Sequence, residues 1–248
     1  MSTPKSALKT DPLLEYREVW QRKPVLPAVY EDIYRRILGS CAPGPILEIG
    51  GGCGNFKSFA PGTITTDILP APWLDVVGDA QRLPFADSTF ANVAMVDVLH
   101  HIEYPIRALT EFARVLRDGG RLVMCEPAIT PLSGVFYRLF HEEPVDMTAD
   151  PLTTGEISSD KNPYDSNQAI PTLLAGRYRS EVARRLPELR LIALERFAFI
   201  AYPLSGGFQP WCLLPEWAVR PLLTAEWSVR KAIGPIAGFR MLTVHEKC

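Results

Sequence analysis

The sequence predicts an α/β protein with a doubly wound, mostly parallel sheet of seven strands. Short apolar runs suited to buried strands alternate with amphipathic helical patterns from residue 45 to residue 127. The run from residue 91 to residue 98 is almost continuously apolar, as in a strand covered on both faces. Glycines directly follow the first apolar run, where a strand of this fold opens onto a tight turn.

The composition indicates one globular unit with a real core, since 47% of the 248 residues are apolar and 22% are charged. The formal net charge of −2 argues against a nucleic-acid partner. The five cysteines are scattered and form no C-x-x-C pair, which predicts reduced thiols in a cytoplasmic protein. We also expect neither a signal peptide nor a membrane span, because no sufficiently long apolar stretch occurs.

The chain divides into four predicted parts. Residues 1–40 form a helical cap, in which Tyr16 or Trp20 either packs on the sheet edge or closes the cofactor cleft. Residues 41–127 form the cofactor-binding core, with predicted strands at 46–49, 63–68, 74–77, 91–98 and 121–125 and a helix at 105–116.

Residues 128–187 are too long for an ordinary connection between the fifth and sixth strands, so we predict a lid over the substrate that ends in a helix at 171–186. Residues 188–248 carry the last strands, at 189–199 and 240–245. Between them lies an aromatic, proline-broken stretch, 208–232, which could be core, the wall of an apolar pocket or a membrane contact. The sequence leaves these three alternatives open.

The glycine turn lacks the pattern of a dinucleotide site, because Asn55 stands where the third glycine of G-x-G-x-x-G belongs. The G-x-x-x-x-G-K-[ST] pattern of a phosphate-binding loop is also missing. Asp67 lies close to the offset at which this fold places an acid that binds ribose hydroxyls. Acids before and after the glycines suit a cationic ligand better than a phosphate.

Five motifs occur in a fixed order: L-E-I-G-G-G-C-G at 47–54, Asp67, G-D-A-Q-R-L-P-F-A-D-S-T-F at 78–90, V-L-H-H-I at 98–102, and E-F-A-R-V-L-R-D-G-G-R-L-V at 111–123. In these motifs the sequence resembles the class I S-adenosylmethionine-dependent methyltransferases, within the branch called methyltransferase type 11. The resemblance covers residues 45–127 and implies the Rossmann-like methyltransferase fold.

The resemblance also implies S-adenosyl-L-methionine as the cofactor. It places the methionine moiety on the glycine turn, the ribose on Asp67 and the adenine beside Asp79. Read without the resemblance, Asp79 and Asp97 could equally be turn or cap carboxylates. The full set of implied cofactor residues is Glu48, Gly50, Gly52, Gly54, Asp67, Asp79, Ala80, Asp97 and Val98.

Methyl transfer from a sulfonium depends mainly on positioning, and a histidine is the first candidate for any general base. His101 follows the central strand at the expected reaction centre, and His141 in the insert is the alternative. We predict no metal site, because His141, Glu142 and Glu143 are adjacent in sequence and no second ligand cluster accompanies them.

The sequence therefore predicts an enzyme that methylates oxygen, carbon or nitrogen of a small-molecule acceptor, which the aromatic stretch suggests is apolar or lipid-linked. Contact with a membrane surface and the oligomeric state stay open. Two other classes compete with this prediction. One is a noncatalytic cofactor-binding scaffold, and the other is a nicotinamide-dependent oxidoreductase, which the residue at position 55 disfavours.

Overall fold

The computed structural model describes residues 12–158 and 160–248. The first eleven residues of the predicted helical cap lie outside this part. The chain begins with two helices, α1 (Pro12–Arg22) and α2 (Val25–Ser40). Helix α2 presents a buried apolar stripe with helical spacing, which includes Val29, Ile33 and Ile37.

Seven strands form one sheet in the order β3-β2-β1-β4-β5-β7-β6 within the described residues. The pairs among β1 to β5 are parallel, and β7 runs antiparallel to both β5 and β6. This topology confirms the predicted fold class. The strands are β1 (Ile46–Ile49), β2 (Ile64–Asp67), β3 (Val76–Val77), β4 (Phe90–Val96), β5 (Leu116–Pro127), β6 (Leu189–Phe197) and β7 (Arg240–Lys247).

Helices cover both faces of the sheet. Between β1 and β2 lies α3 (Asn55–Phe59), and α4 (Pro105–Val115) connects β4 to β5. One core cluster joins α4 to β4 and β5, and a second joins α2 to the opposite face. Because β4 is covered on both faces, six of its seven residues are buried, as its continuous apolar run predicts.

Two strands, β3 and β5, differ in length from the prediction. Strand β3 contains only Val76 and Val77, so the predicted strand at 74–77 was too long. Strand β5 already begins at Leu116 rather than at Arg121. Phe90 pairs with Leu116 and Asn92 with Arg121, so the residues between them on β5 form a bulge. A glycine-containing bulge resembles a loop in sequence, which explains the error.

The insert between β5 and β6 contains α5 (Pro131–Phe140), α6 (Ile170–Ala175) and α7 (Arg179–Arg185). The single helix predicted at 171–186 was wrong. Gly176 separates α6 from α7 with backbone angles outside the helical region (φ −114°, ψ −99°). Glycine is a poor helix residue because it loses the most backbone freedom on ordering, so the chain breaks there.

The aromatic stretch is less broken than its prolines suggested. After α8 (Ala201–Ser205) comes the long helix α9 (Glu216–Ala237), which includes Pro221 and Pro235. Each proline removes one helical hydrogen bond. The helix still forms because it buries Val219, Leu223 and Glu226 against the body of the protein.

Glu226 attaches α9 to the end of β6. Its carboxylate is buried and accepts hydrogen bonds from the amides of Phe199, Ile200 and Ala201 at 3.2, 2.6 and 2.7 Å. Three donors directed at one carboxylate compensate for part of the cost of burying its charge. The turn from β6 into α8 therefore depends on a side chain 25 or more positions further along the chain.

We expect Glu226→Ala to lower the free energy of unfolding by about 3 kcal/mol, because three buried amides lose their acceptor. Glu216→Ala, in the exposed first turn of the same helix, should cost less than about 1 kcal/mol. Urea denaturation followed by circular dichroism measures both values. Equal losses in the two variants would show that Glu226 does not hold the turn.

Candidate active site

A cavity of about 1380 Å³ opens at the carboxyl ends of β1, β2 and β4. In an open α/β sheet this edge is where ligands bind. The cavity is bounded by the glycine turn, by the insert and by residues 202–211, which follow β6. All the implied cofactor residues line it except Gly54.

The glycine turn comes close to the end of β4. Gly50 has a φ of +72°, and a Cβ there would lie 2.2 Å from Cγ2 of Val98. Gly52 donates its amide to Oδ2 of Asp67 at 2.9 Å. Gly54 lies against the indole of Trp73, where a Cβ would approach to 2.7 Å. A Cβ at Gly50 or Gly54 would therefore clash with Val98 or Trp73, and the turn could not keep these close contacts.

Asp67 ends β2 with its carboxylate at the cavity wall. Oδ2 accepts from Gly52, and Oδ1 accepts from the amide of Leu69 at 3.0 Å. Each carboxylate oxygen can accept more than one hydrogen bond, so both keep capacity for a ligand hydroxyl. The contact with Gly52 links the acid directly to the turn.

Asp79 and Ala80 line the same wall one strand further along. Oδ1 of Asp79 accepts from the amide of Gln81 at 2.8 Å, an Asx-type turn contact. Asp79 therefore has the role of a turn carboxylate in the structure, and its other oxygen, Oδ2, accepts a long hydrogen bond of 3.4 Å from the side-chain amide of Gln81. A turn role and a ligand role are compatible at this residue.

Glu48 lies beneath the glycine turn in β1 and is 6% exposed. Its Oε2 has no hydrogen-bond partner among the described residues. Burial raises the pKa of Glu48 to about 7. An unpartnered buried carboxyl at the wall of a cavity can stabilise a cation that binds there.

Asp97 differs from the expected open cofactor acid. It adopts a left-handed backbone with φ +60°, and its Oδ1 forms an ion pair of 2.5 Å with Nη1 of Arg240. Oδ2 accepts a long hydrogen bond of 3.4 Å from the hydroxyl of Tyr30. Arg240, on β7, is 1% exposed and lies over the ring of Tyr202. The charge of Asp97 is thus balanced within the protein.

Glu126 is a site residue that the motifs did not reveal. It follows β5's apolar run and is 1% exposed. Oε1 accepts from the amides of Val98 and Leu99, each at 2.9 Å, and Oε2 lies 2.7 Å from Nδ1 of His100. An acid at the carboxyl end of a buried strand was the available signal. Glu126 fixes the turn that carries both histidines.

His100 lies between two carboxylates, because its Nε2 is 3.4 Å from Oε2 of Glu143 in the insert. Burial alone lowers the pKa of His100, but hydrogen bonds with Glu126 and Glu143 outweigh burial and raise it to about 9. Burial alone raises the pKa of Glu143, but the contacts with His100 outweigh burial and lower this pKa to about 2. A single imidazolium thus pairs with two acids at neutral pH.

His101 stacks beside His100, with ring centroids 4.2 Å apart. Its Nδ1 is buried and has no hydrogen-bond partner among the described residues. Burial and the neighbouring charge of His100 lower its pKa, so the ring is neutral at neutral pH. His101 therefore lines the cavity with a neutral ring, one nitrogen of which has no partner among the described residues.

His141, the alternative candidate, occupies a different environment. It follows the last residue of α5 and is exposed. Its Nδ1 accepts from the amide of Glu143 at 3.2 Å, and its ring lies edge-on to Tyr137. Both histidines line the cavity, but only His101 lies in the turn at the end of β4.

The insert contacts the turn that carries His100 and His101, which we call the histidine turn, at several points. Nζ of Lys161 donates to the carbonyl of His101 at 2.6 Å, and the amide of Asn167 donates to the carbonyl of His100 at 2.9 Å. Gln168 donates to the carboxylate of Glu143. The segment from Glu143 to Gln168 thus forms the cavity wall opposite the glycine turn.

The geometry fits a cationic cofactor. Gly50 and Gly54 leave room that a side chain would fill, and Glu48 has an unpartnered buried oxygen. Asp67 can accept hydroxyl groups, whereas the side chain of Asp97 already pairs with Arg240. The side chains on the glycine-turn wall of the cavity are acidic, and such groups stabilise the positive charges of a sulfonium and an ammonium group.

Comparison with known proteins agrees with this geometry. The family model described as a methyltransferase domain matches residues 63–124. The demethylmenaquinone methyltransferase of Mycobacterium marinum is 43% identical over 89 residues, which cover 36% of this chain and 37% of that protein. The enzyme of the same name from Streptomyces avermitilis is 35% identical over 152 residues, covering 56% of this chain and 63% of that protein. The matched part thus spans less than two thirds of either relative.

Solved structures share the fold. A methyltransferase from Thermotoga maritima, described as a possible histamine N-methyltransferase, has a TM-score of 0.56 at 15% identity and covers 96% of this chain and 99% of its own. An S-adenosylmethionine-dependent methyltransferase from Archaeoglobus fulgidus has a TM-score of 0.54 at 15% identity, covering 89% and 94%. Residues 63–124 thus match a methyltransferase domain, and the chain has the fold of these methyltransferases, which confirms the predicted resemblance at the level of the fold. Both solved proteins are described as S-adenosylmethionine-dependent, which agrees with the predicted cofactor.

We expect the stability of wild type relative to Glu48→Gln to depend on pH. A raised pKa means that the folded protein holds the Glu48 proton more tightly than the unfolded chain, so this stabilisation is complete below the unfolded value of 4.5. It is lost as pH rises towards about 7. Wild type should lose about 2 to 3 kcal/mol relative to the variant across this interval.

Urea denaturation at pH 4.5, 5.5, 6.5 and 7.5, without ligand, measures the difference between the two proteins. The amide in the variant cannot ionise, so the variant removes this carboxyl while the other titrating groups remain. A stability difference that stays constant with pH would contradict the raised pKa.

Proposed function

We propose that the protein transfers the methyl group of S-adenosylmethionine to an apolar small-molecule acceptor. One observation carries the proposal: a single cavity joins the acidic wall at Gly50, Asp67 and Asp79 to a chamber lined by aromatic side chains of the insert. A methyl donor on the first side would face an acceptor on the second. The cofactor would supply an electrophilic methyl group, and the protein would hold donor and acceptor in the orientation for transfer.

In this proposal residues 41–127 bind the cofactor, and residues 128–187 and 208–232 form the acceptor side. Asp67 accepts the ribose hydroxyls, Asp79 and Ala80 contact the adenine, and Glu48 stabilises the positive charge of the methionine end. Val98 and the backbone of Asp97 contact the same end. The glycine-turn contacts described above support these roles.

The acceptor class follows from the lining of the second half of the cavity. Phe136, Tyr137 and Phe140 of α5 and Phe208 and Trp211 after α8 contribute apolar and aromatic surface. Both relatives above are named demethylmenaquinone methyltransferases, and a ring compound with an apolar tail suits such a lining. We propose an acceptor of this lipid-linked type.

For acceptor activation we propose His101 rather than His141. The free lone pair on Nδ1 of His101 can accept a proton from an acceptor hydroxyl or an acidic carbon. The acceptor atom then attacks the methyl carbon, and the electron pair of the broken carbon–sulfur bond remains on sulfur. His141 is exposed and already accepts a backbone hydrogen bond.

We expect Asp67→Ala to weaken binding of S-adenosylhomocysteine roughly 100-fold, because hydrogen bonds to a charged acceptor are lost. Isothermal titration calorimetry measures the dissociation constant. Asp118→Ala, in the exposed bulge of β5, is the matched control and should bind like wild type. If the Asp67 variant binds as tightly as wild type, the proposed ribose contact is wrong.

The competing classes give different results in the same samples. A nicotinamide-dependent oxidoreductase would bind a nicotinamide dinucleotide instead of S-adenosylhomocysteine. A noncatalytic scaffold would bind S-adenosylhomocysteine but yield no labelled product when radiolabelled cofactor is incubated with a demethylated quinone. An enzyme gives a labelled product that depends on the added quinone.

A lipid-linked acceptor would enter from a membrane, and two apolar side chains that line the cavity, Phe140 and Trp211, are also exposed to solvent. Within the described residues, none of the helices is long and apolar enough to cross a membrane. We define the apolar rim as Leu139, Phe140, Trp211 and Leu213, whose exposed fractions are 68, 69, 42 and 70%. We propose that this rim rests on the cytoplasmic face of a membrane.

We expect the double variant Leu139→Ser/Phe140→Ser to reduce co-sedimentation with phosphatidylglycerol–phosphatidylcholine vesicles roughly tenfold or more, because two large apolar side chains no longer enter the lipid. Ile192→Ser is the control, since Ile192 is an exposed apolar residue of β6 that does not line the cavity. Wild type that stays in the supernatant would contradict the membrane contact.

The two aromatic residues of α9 have different environments. Trp217 is 82% exposed, whereas the ring of Trp227 lies between the guanidinium groups of Arg36 and Arg230, at 3.5 and 3.8 Å. Trp227 also packs edge-on against Phe197. Trp227 therefore belongs to the protein body, and of these two tryptophans only Trp217 is available to a membrane.

A further inference from the structure

The histidine turn carries a set of side chains that acceptor binding and proton transfer do not fully account for. One ring nitrogen of His100, one ring nitrogen of His101 and a carboxylate oxygen of Glu143 all lie within 4.8 Å of one another. Two imidazole nitrogens and one carboxylate oxygen are the ligand types of zinc and related divalent ions in enzymes. The adjacent residues in the insert, His141 and Glu142, do not belong to this set.

The distance between His100 and Glu143 suits a shared ion. Two ligands at about 2.0 to 2.1 Å from a tetrahedral zinc ion lie about 3.3 Å apart. Nε2 of His100 and Oε2 of Glu143 are 3.4 Å apart. Nδ1 of His101 is buried and without a hydrogen-bond partner in the described chain, so its lone pair is available to complete the set.

The surroundings also match those of a metal-binding histidine. Such a histidine usually donates its other ring nitrogen to a carboxylate, which fixes the tautomer and the ring orientation. His100 does this through Nδ1 to Glu126, and Glu126 is itself held by the amides of Val98 and Leu99. The carboxylate of Glu143 is held in turn by Gln168.

The charges around His100 also favour a bound cation. The carboxylates of Glu126 and Glu143 both contact the ring of His100, at 2.7 and 3.4 Å. The ammonium group of Lys161 donates to three backbone carbonyls instead of to these acids. A divalent ion would balance both carboxylates.

A second grouping, Asp97, His100 and Glu126, also brings potential ligand atoms together. It is less suitable, because Asp97 already pairs with Arg240 and Nδ1 of His100 already contacts Glu126. A cation there would lie beside a buried guanidinium group. The geometry thus favours His100, His101 and Glu143 as the ligands.

We propose that His100, His101 and Glu143 bind a divalent transition-metal ion of the zinc type, with an open coordination position facing the acceptor cavity. This departs from the sequence prediction of no metal site. The role of the ion rests on the proposed function and would replace the base proposed there, because a His101 nitrogen bound to the ion cannot accept a proton. An acceptor oxygen at the open position would lose its proton to solvent, and the ion would stabilise the oxyanion. Binding of the ion itself does not depend on that function.

The test uses the full chain stripped of metal with a chelator and titrated with Co²⁺, whose visible absorption reports coordination by nitrogen and oxygen. We expect wild type to give a saturable spectrum that one equivalent of Zn²⁺ removes. His101→Ala and Glu143→Gln should weaken Co²⁺ binding at least roughly 100-fold, and Glu126→Gln roughly 10- to 100-fold. Glu142→Gln, an exposed neighbour, should titrate like wild type.

Two results would overturn the proposal. The first is wild type with no saturable Co²⁺ spectrum. The second is a spectrum that survives in His101→Ala but disappears in His141→Ala, which would identify an adventitious ion on the exposed histidine.

Binding of S-adenosylhomocysteine by the same samples separates this proposal from the proposed function. Retained binding in every variant confirms that the cofactor half is folded, so loss of the spectrum alone concerns the metal ligands. Wild type that binds S-adenosylhomocysteine but no Co²⁺ would contradict the metal site alone. Wild type that binds Co²⁺ but not S-adenosylhomocysteine would contradict the proposed methyl transfer and leave the site standing.

Discussion

The contact between Glu126 and the turn at the end of β4 holds the candidate active site together. One buried carboxylate accepts the amides of Val98 and Leu99 and contacts the ring of His100. These contacts position two neighbouring histidines, against which the insert packs. A buried charge is retained only where enough donors surround it, and here the donors belong to the turn itself.

Two systems of ion pairs meet at the end of β4. Arg240 from β7 balances Asp97, while Glu126 from β5 and Glu143 from the insert share His100. The antiparallel strand β7 thus contributes directly to the site through Arg240. The remaining acids, Glu48 and Asp67, have no cationic partner among the ion pairs of the described residues and face the glycine turn. Positive charge on a ligand would be stabilised there.

The cavity also explains how one chain could handle a polar cofactor and an apolar acceptor. The motif-bearing half supplies acids and glycines, and the insert with the segment before α9 supplies aromatic side chains. The exposed apolar rim continues that lining to the surface. The aromatic stretch, for which three alternatives were open, divides accordingly: Trp227 packs in the body, Trp211 lines the cavity and Trp217 is exposed.

The sequence by itself determined the sheet, because apolar runs and the glycine turn at a strand end are local patterns. The cofactor class followed from the resemblance of five ordered motifs to a known family. The sequence misplaced the start of β5 and the break at Gly176, where glycine bulges and loops look alike. Only the tertiary structure decided the partner of Asp97, the position of Glu126 beside His100 and the approach of Glu143. Those contacts join residues 26 to 143 positions apart in the chain, and no local pattern specifies such distances.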